Sequence, residues 1–214
     1  APVKGARVDV WHCNAAGLYS GYARQGDDGR TSMEGQTFLR GTQFTQADGR
    51  AAFTTIYPGW YRGRTTHIHF KVFLDTRSVM TGQIFFPDAL SEFIYQNHAA
   101  YHREAQRDTL NEIDDIAQGA TDAAQAAIRE EKGRYVASLI IGVDPAADGK
   151  SGQTGPGGRP GGPGGPPPGP PPGGMPPGPP PEGGGPPGGP GGPNRPQLDA
   201  AQRLRAIFPG ESAT

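Results

Sequence analysis

Between residues 152 and 196 the chain is built almost wholly of glycine and proline, and that block decides how much of the sequence can fold. Such a stretch has almost nothing apolar to bury and cannot form a packed core. It lacks a strict Gly-X-Y period, which rules out a collagen triple helix and predicts a disordered tail leaning towards polyproline II. Of the 214 residues, 35 are Gly and 24 are Pro, and most of the excess sits in this block. Residues 1–148 are therefore expected to form one globular domain. Residues 149–196 read as a linker, and residues 197–214 as a short terminal segment. In that segment Leu198, Leu204, Ile207 and Phe208 are spaced to line one or two helical turns.

Inside the first 148 residues, short alternating runs are separated by Gly and Pro turns. Strands are expected over residues 6–12, 38–45, 51–57, 66–74, 80–87 and 134–143. In the last of these Tyr135, Ala137, Leu139, Ile141 and Val143 should point inward. Ala47-Asp48-Gly49 forms a hairpin turn between the second and third strands. Residues 89–98 suit a short helix with Leu90, Phe93 and Ile94 on one side, and residues 109–131 read as partly helical. The fold class is mainly β: a β-sandwich with short helical insertions, followed by the Pro/Gly-rich tail. A formal net charge of −1 argues against nucleic acid or an anionic membrane as the main partner. No apolar run is long enough to cross a bilayer. Cys13 is the only cysteine, so no disulfide can form within the chain.

The chemistry concentrates in residues 57–70. From 66 to 74, Ile68, Phe70, Val72 and Leu74 fall on one face of a strand, and His67, His69 and Lys71 on the other. Histidines two apart on a strand have Cβ atoms about 6.5–7 Å apart, close enough for both imidazoles to reach one metal ion. Pro58-Gly59 turns the chain just upstream, so Tyr61 and Arg64 can return to the histidine face. A phenolate is a hard anion that suits a trivalent ion such as Fe(III), and a second anionic ligand is then required from elsewhere. His98 and His102, at i and i+4, read as exposed polar residues. Two other readings of the same residues stand beside this one. One is a Zn(II) or Fe(II) enzyme using His67, His69 and a carboxylate; the other is a non-catalytic β-sandwich that binds carbohydrate or a partner.

Several motifs together resemble the intradiol ring-cleavage dioxygenases, non-haem Fe(III) enzymes that open catechols between the two hydroxyl-bearing carbons. They are Val8-Asp9-Val10-Trp11-His12-Cys13-Asn14-Ala15-Ala16-Gly17-Leu18-Tyr19, Pro58-Gly59-Trp60-Tyr61, Arg64-Thr65-Thr66-His67-Ile68-His69-Phe70, Thr81-Gly82-Gln83-Ile84-Phe85-Phe86-Pro87 and Gly142-Val143-Asp144-Pro145. The resemblance, strongest to secreted stand-alone members, implies that Tyr19, Tyr61, His67 and His69 bind iron. Tyr22 is the nearby competitor, and the A-A-G-x-Y spacing selects Tyr19. The resemblance also implies that Arg64 and Gln83, with Tyr61, act on a catechol-type substrate and O2. It implies a secreted location, a partner for Cys13 upstream of the residues seen here, and further strands ahead of Ala1. Met80 stands where secreted members often carry histidine, and is expected to touch the surroundings of the metal.

Overall fold

The computed structural model describes residues 1–147 together with Asp199 and Gln202, so the expected linker and nearly all of the terminal segment lie outside the described residues. Four strands form one antiparallel sheet: β1 (Arg7–Trp11), β2 (Arg40–Phe44), β3 (His67–Leu74) and β4 (Arg77–Phe85), in the order β2-β1-β3-β4. Two more, β5 (Ala127–Glu131) and β6 (Arg134–Ser138), form a separate antiparallel hairpin. Helix α1 (Asp88–Asn97) follows β4, and α2 (Asp115–Ala120) lies among three short 3-10 turns. The fold is mainly β with short helical insertions, as expected.

Register explains how one sheet serves two purposes. Trp11 lies opposite His69, His69 opposite Gln83, and His67 opposite Phe85, so these side chains share a face. The other face carries Phe70 and Val72, which pack with Ala6 and Val79 into an apolar core. Phe70 lies across from Gly82, and its ring fills the space that a side chain there would need. Val10, Met80, Leu139, Ile141 and Val143 close over this core. β3 therefore buries hydrocarbon on one side and imidazole on the other.

Several expected elements are corrected. Residues 51–57 are extended but join no ladder; side chains hold them instead, with Thr55 Oγ1 2.8 Å from His12 Nε2 and Phe53 lying against Gly41. The helical run expected over 109–131 is one short helix and two 3-10 turns, after which the chain turns into β5. The last strand ends at Ser138, with Tyr135 and Ala137 exposed, and only Leu139, Ile141 and Val143 reach the core. Along α1, Ile94 and Tyr95 are buried whereas Phe93 is exposed, because the helix packs on Trp60 and Tyr57 through its other side.

A buried ion pair ties α1 to the stretch that follows it. Arg107 Nη1 donates to Asp88 Oδ1 at 2.7 Å, and Asp88 Oδ2 accepts the Asn111 N–H at 3.0 Å. Removing one member of such a pair leaves a buried charge without compensation, the costly case.

Phe70→Ala should cost about 3–5 kcal/mol in unfolding free energy, the usual penalty for emptying a buried aromatic site. Chemical denaturation checks it, and a loss below about 1 kcal/mol would mean that the core lies elsewhere.

Candidate metal centre

Two loops meet backbone to backbone before any side chain enters the site. The Gly59 N–H donates to Asn14 O at 3.2 Å, and Cys13 Sγ donates to Gly59 O at 3.3 Å. A Cβ on Gly59 would stand 2.4 Å from Asn14 O, and one on Gly17 would stand 2.1 Å from Trp60 O. Gly17 also has φ +83, a conformation that side chains disfavour. Tyr19 follows the first loop and Tyr61 the second, so the contact delivers both phenols to one place. Their rings meet edge to face at 5.6 Å.

Gln25 fixes the first loop further. Its Oε1 accepts the Tyr19 N–H at 2.6 Å, while its Nε2 donates to Tyr19 O at 2.5 Å and to Tyr22 O at 3.0 Å. From the other side, Tyr95 Oη donates to Pro58 O at 2.9 Å and Tyr101 Oη to Tyr57 O at 2.8 Å. The Tyr57-Pro58 stretch is thus held by α1 and the 3-10 turn after it, and the turn expected at Pro58-Gly59 falls instead at Arg62-Gly63, after Tyr61.

Four donor atoms then converge. His67 Nε2 is 3.2 Å from Tyr19 Oη, 3.1 Å from Tyr61 Oη and 3.1 Å from His69 Nε2. His67 Nδ1 lies 2.6 Å from Thr65 O, and since a carbonyl only accepts, Nδ1 carries the proton and Nε2 keeps its lone pair. One lone pair cannot serve three neighbours at that distance. A cation at the common point satisfies all four donors, and separations near 3.1 Å suit atoms sharing an ion at bond lengths of about 2.0–2.1 Å. The residues therefore fit a metal ion. Trp11 lies flat against His69, with centroids 5.0 Å apart and planes 4° apart, and sets that ring's orientation.

The electrostatics suit ligands that release protons to a metal. Burial, with the positive charge of Arg64 next in weight, holds His67 down to about 3, so it is neutral at physiological pH. Burial likewise pushes His69 well below the usual imidazole range, with His67 and Arg64 adding to the effect. Burial also drives both the Tyr19 and Tyr61 phenols above the usual tyrosine value; Arg64 partly offsets this for each. Without a cation both phenols keep their protons.

Arg64 and Gln83, expected beside the centre, are both buried and joined to each other, Arg64 Nη2 donating to Gln83 Oε1. Tyr22 is buried in the same aromatic cluster but sits under the Arg40 guanidinium and reaches neither histidine. Met80 is corrected: it packs on the apolar core across the sheet from the imidazoles. His98 and His102 are exposed at the two ends of a 3-10 turn. Among the described residues no group of three or more His, Cys, Asp or Glu is placed to hold a metal, so no carboxylate joins His67 and His69. A cleft reaches both phenols, lined by Gly17, Arg24, Gln25, Asp27, Arg62 and Arg103 among others. Sequence reasoning missed Gln25, whose local sequence gives no sign of its role. It also missed Asp114, whose place before a helix signals a cap but not a bond to Arg64, 50 residues away.

The signature of the dioxygenase family matches residues 1–129. A protocatechuate 3,4-dioxygenase beta chain of Burkholderia cepacia is 36% identical over 94 residues, covering 40% of this chain and 39% of that one. A catechol 1,2-dioxygenase 1 of Acinetobacter lwoffii is 31% identical over 100 residues, 38% of this chain and 30% of that one. The chain spans well under half the length of both relatives. Among solved structures, an intradiol ring-cleavage dioxygenase from Tetranychus urticae matches with a TM-score of 0.60 and 30% identity, covering 68% of this chain and 74% of that chain.

Two outcomes test the centre itself. Tyr19→Phe should lose bound metal while Tyr22→Phe keeps it; equal losses by metal analysis would mean that the wrong tyrosine faces the histidines. Because the phenols are protonated without metal and ionised with it, apparent affinity should rise with pH, by up to about 100-fold per unit if both ionise. The neutral histidines add no further dependence there. Chelator competition between about pH 6 and 8 checks this, and a flat profile would exclude phenolate ligation.

Proposed function

We propose, from the premise that this chain belongs to the intradiol ring-cleavage dioxygenase family, that it uses Fe(III) and O2 to open catechol-type aromatic rings between the two hydroxyl-bearing carbons. Tyr19, Tyr61, His67 and His69 are the ligands in this reading. The observation that carries it is the convergence of two phenol oxygens and two imidazole nitrogens, with His67 Nε2 3.1–3.2 Å from each of the other three atoms. Two phenolates favour a trivalent ion over the softer divalent ones. When bound, the ferric ion supplies a Lewis acid that binds and activates the two oxygens of a catechol.

The protein's own groups then have distinct tasks. Tyr61 is only partly buried and stands beside the Arg62-Gly63 turn, whereas Tyr19 is buried and clamped through its backbone by Gln25. Tyr61 is accordingly the ligand that would yield its place to substrate. Its burial makes the Tyr61 phenolate a strong base, so Tyr61 Oη would take the proton from a catechol hydroxyl. His67 and His69 stay neutral, and His67, with Nδ1 on Thr65 O, keeps its Nε2 lone pair turned inward. Trp11, flat against His69, helps to exclude water from that side.

Arg64 carries a permanent charge into a buried site, and its Nη1 has no acceptor among the described residues. It stabilises negative charge that develops on the ring as the reaction proceeds. Gln83 gives its oxygen to Arg64 and keeps its amide N–H groups as donors.

Aerobic incubation of the iron-loaded protein with a simple catechol should yield a cis,cis-muconate carrying both atoms of labelled O2. A coloured, iron-loaded protein that leaves a range of catechols unchanged would overturn the reading. Arg64→Ala should keep its iron and lose about 10²–10³ in turnover. Turnover within about threefold of the parent would remove Arg64 from the mechanism.

A further inference from the structure

Asp114 is a buried acid that the reaction above does not use, and its two oxygens face different ways. Oδ1 accepts the N–H groups of Ile116 at 2.9 Å and Ala117 at 3.0 Å, capping α2. Oδ2 accepts Arg64 Nε at 2.9 Å and the Thr65 N–H at 2.8 Å. A cap needs only the first pair of bonds. The second pair grips the turn of chain between Tyr61 and His67, and fixes the guanidinium through Nε, beside the Nη2 that meets Gln83.

The consequences pass along a chain of donors and acceptors. An ionised carboxylate only accepts and a guanidinium only donates, so each orients the next. With Nε on Asp114 and Nη2 on Gln83 Oε1, the plane of Arg64 has no rotational freedom left, and Nη1 is the edge without an acceptor. The Gln83 amide must turn its oxygen to Arg64, which leaves its N–H groups to face the site from the position opposite His69. Asp114 also supplies the counter-charge to an arginine that is 4% exposed.

We propose that Asp114 is the positioning residue for the Arg64–Gln83 donor pair, holding the unpartnered edge of Arg64 and the amide of Gln83 towards the substrate's place at the metal centre. The proposal rests on the dioxygenase reading. Asp114 touches neither metal ligand side chains nor substrate; it acts through Arg64.

The test compares Asp114→Asn with Gln118→Gly in the full chain. Asparagine keeps the cap on α2 and a similar shape but removes the charge that fixes Arg64. Gln118→Gly weakens α2 without touching Arg64. Each variant is assayed for bound iron, melting temperature, kcat and KM for a simple catechol. The metal-free proteins are compared by the exchange protection of the Arg64 Nε–H in NMR. Asp114→Asn is expected to keep its iron, to lose about 10- to 100-fold in kcat with KM within about threefold, and to lose Nε–H protection. Gln118→Gly should lower the melting temperature and leave kcat unchanged.

Retained protection, or unchanged kcat, in Asp114→Asn would overturn the proposal. So would a kcat loss that merely follows loss of iron, or one matched by Gln118→Gly. If the parent protein itself converts no catechol, the functional reading fails, and positioning for catalysis fails with it; the NMR comparison then still shows whether Asp114 holds Arg64.

Discussion

The contact between Asn14–Gly17 and Pro58–Tyr61 is the constraint on which the rest of the site depends. At two places there is no room for a Cβ, so the loops approach as closely as backbone can. The contact brings two phenols from distant parts of the sequence onto one pair of imidazoles. Side-chain packing alone would leave that distance adjustable. Backbone packing does not, and the hydrogen bonds from Gln25, Tyr95 and Tyr101 around it oppose any loosening.

Around that contact the polar interior is organised in two layers. The inner one holds the four convergent donors with Arg64 and Gln83. The outer one holds Asp88, Arg107 and Asn111, which fasten α1 to the stretch before α2 and bring Asp114 behind Arg64. Buried ion pairs seldom add much stability over a well-packed apolar alternative, but they specify geometry where a misplaced charge has no other partner. Here Arg64 lies just ahead of β3 and Arg107 in the stretch between α1 and α2.

Much of this was legible in the sequence, for reasons that differ by residue. The alternation from His67 to Leu74 has period two, so the faces of β3 followed from the sequence alone. Tyr19 was different: a single tyrosine after A-A-G-x has no periodicity to mark it against Tyr22, and family resemblance chose between them. Residues 51–57 alternate like a strand yet pair with nothing, because ladders depend on a neighbour that local sequence does not encode. Met80 illustrates the same limit. Placing it near the metal ignored strand parity, which its register against Val72 settles. Gln25 and Asp114 were missed because their partners are set by tertiary approach.

The two-sided burial of β3 bears on how this sequence can change over time. Inserting or deleting one residue in the strand would exchange Ile68 and Phe70 for the imidazoles, losing the hydrocarbon interior and the donor set at a stroke. A change of two residues would restore the faces but slide His69 away from Trp11 and Gln83 by about 6.6–6.8 Å along the strand. Neither leaves a working intermediate. Variation in length is therefore confined to the connections, and the eight residues of this strand behave as an indivisible unit of inheritance.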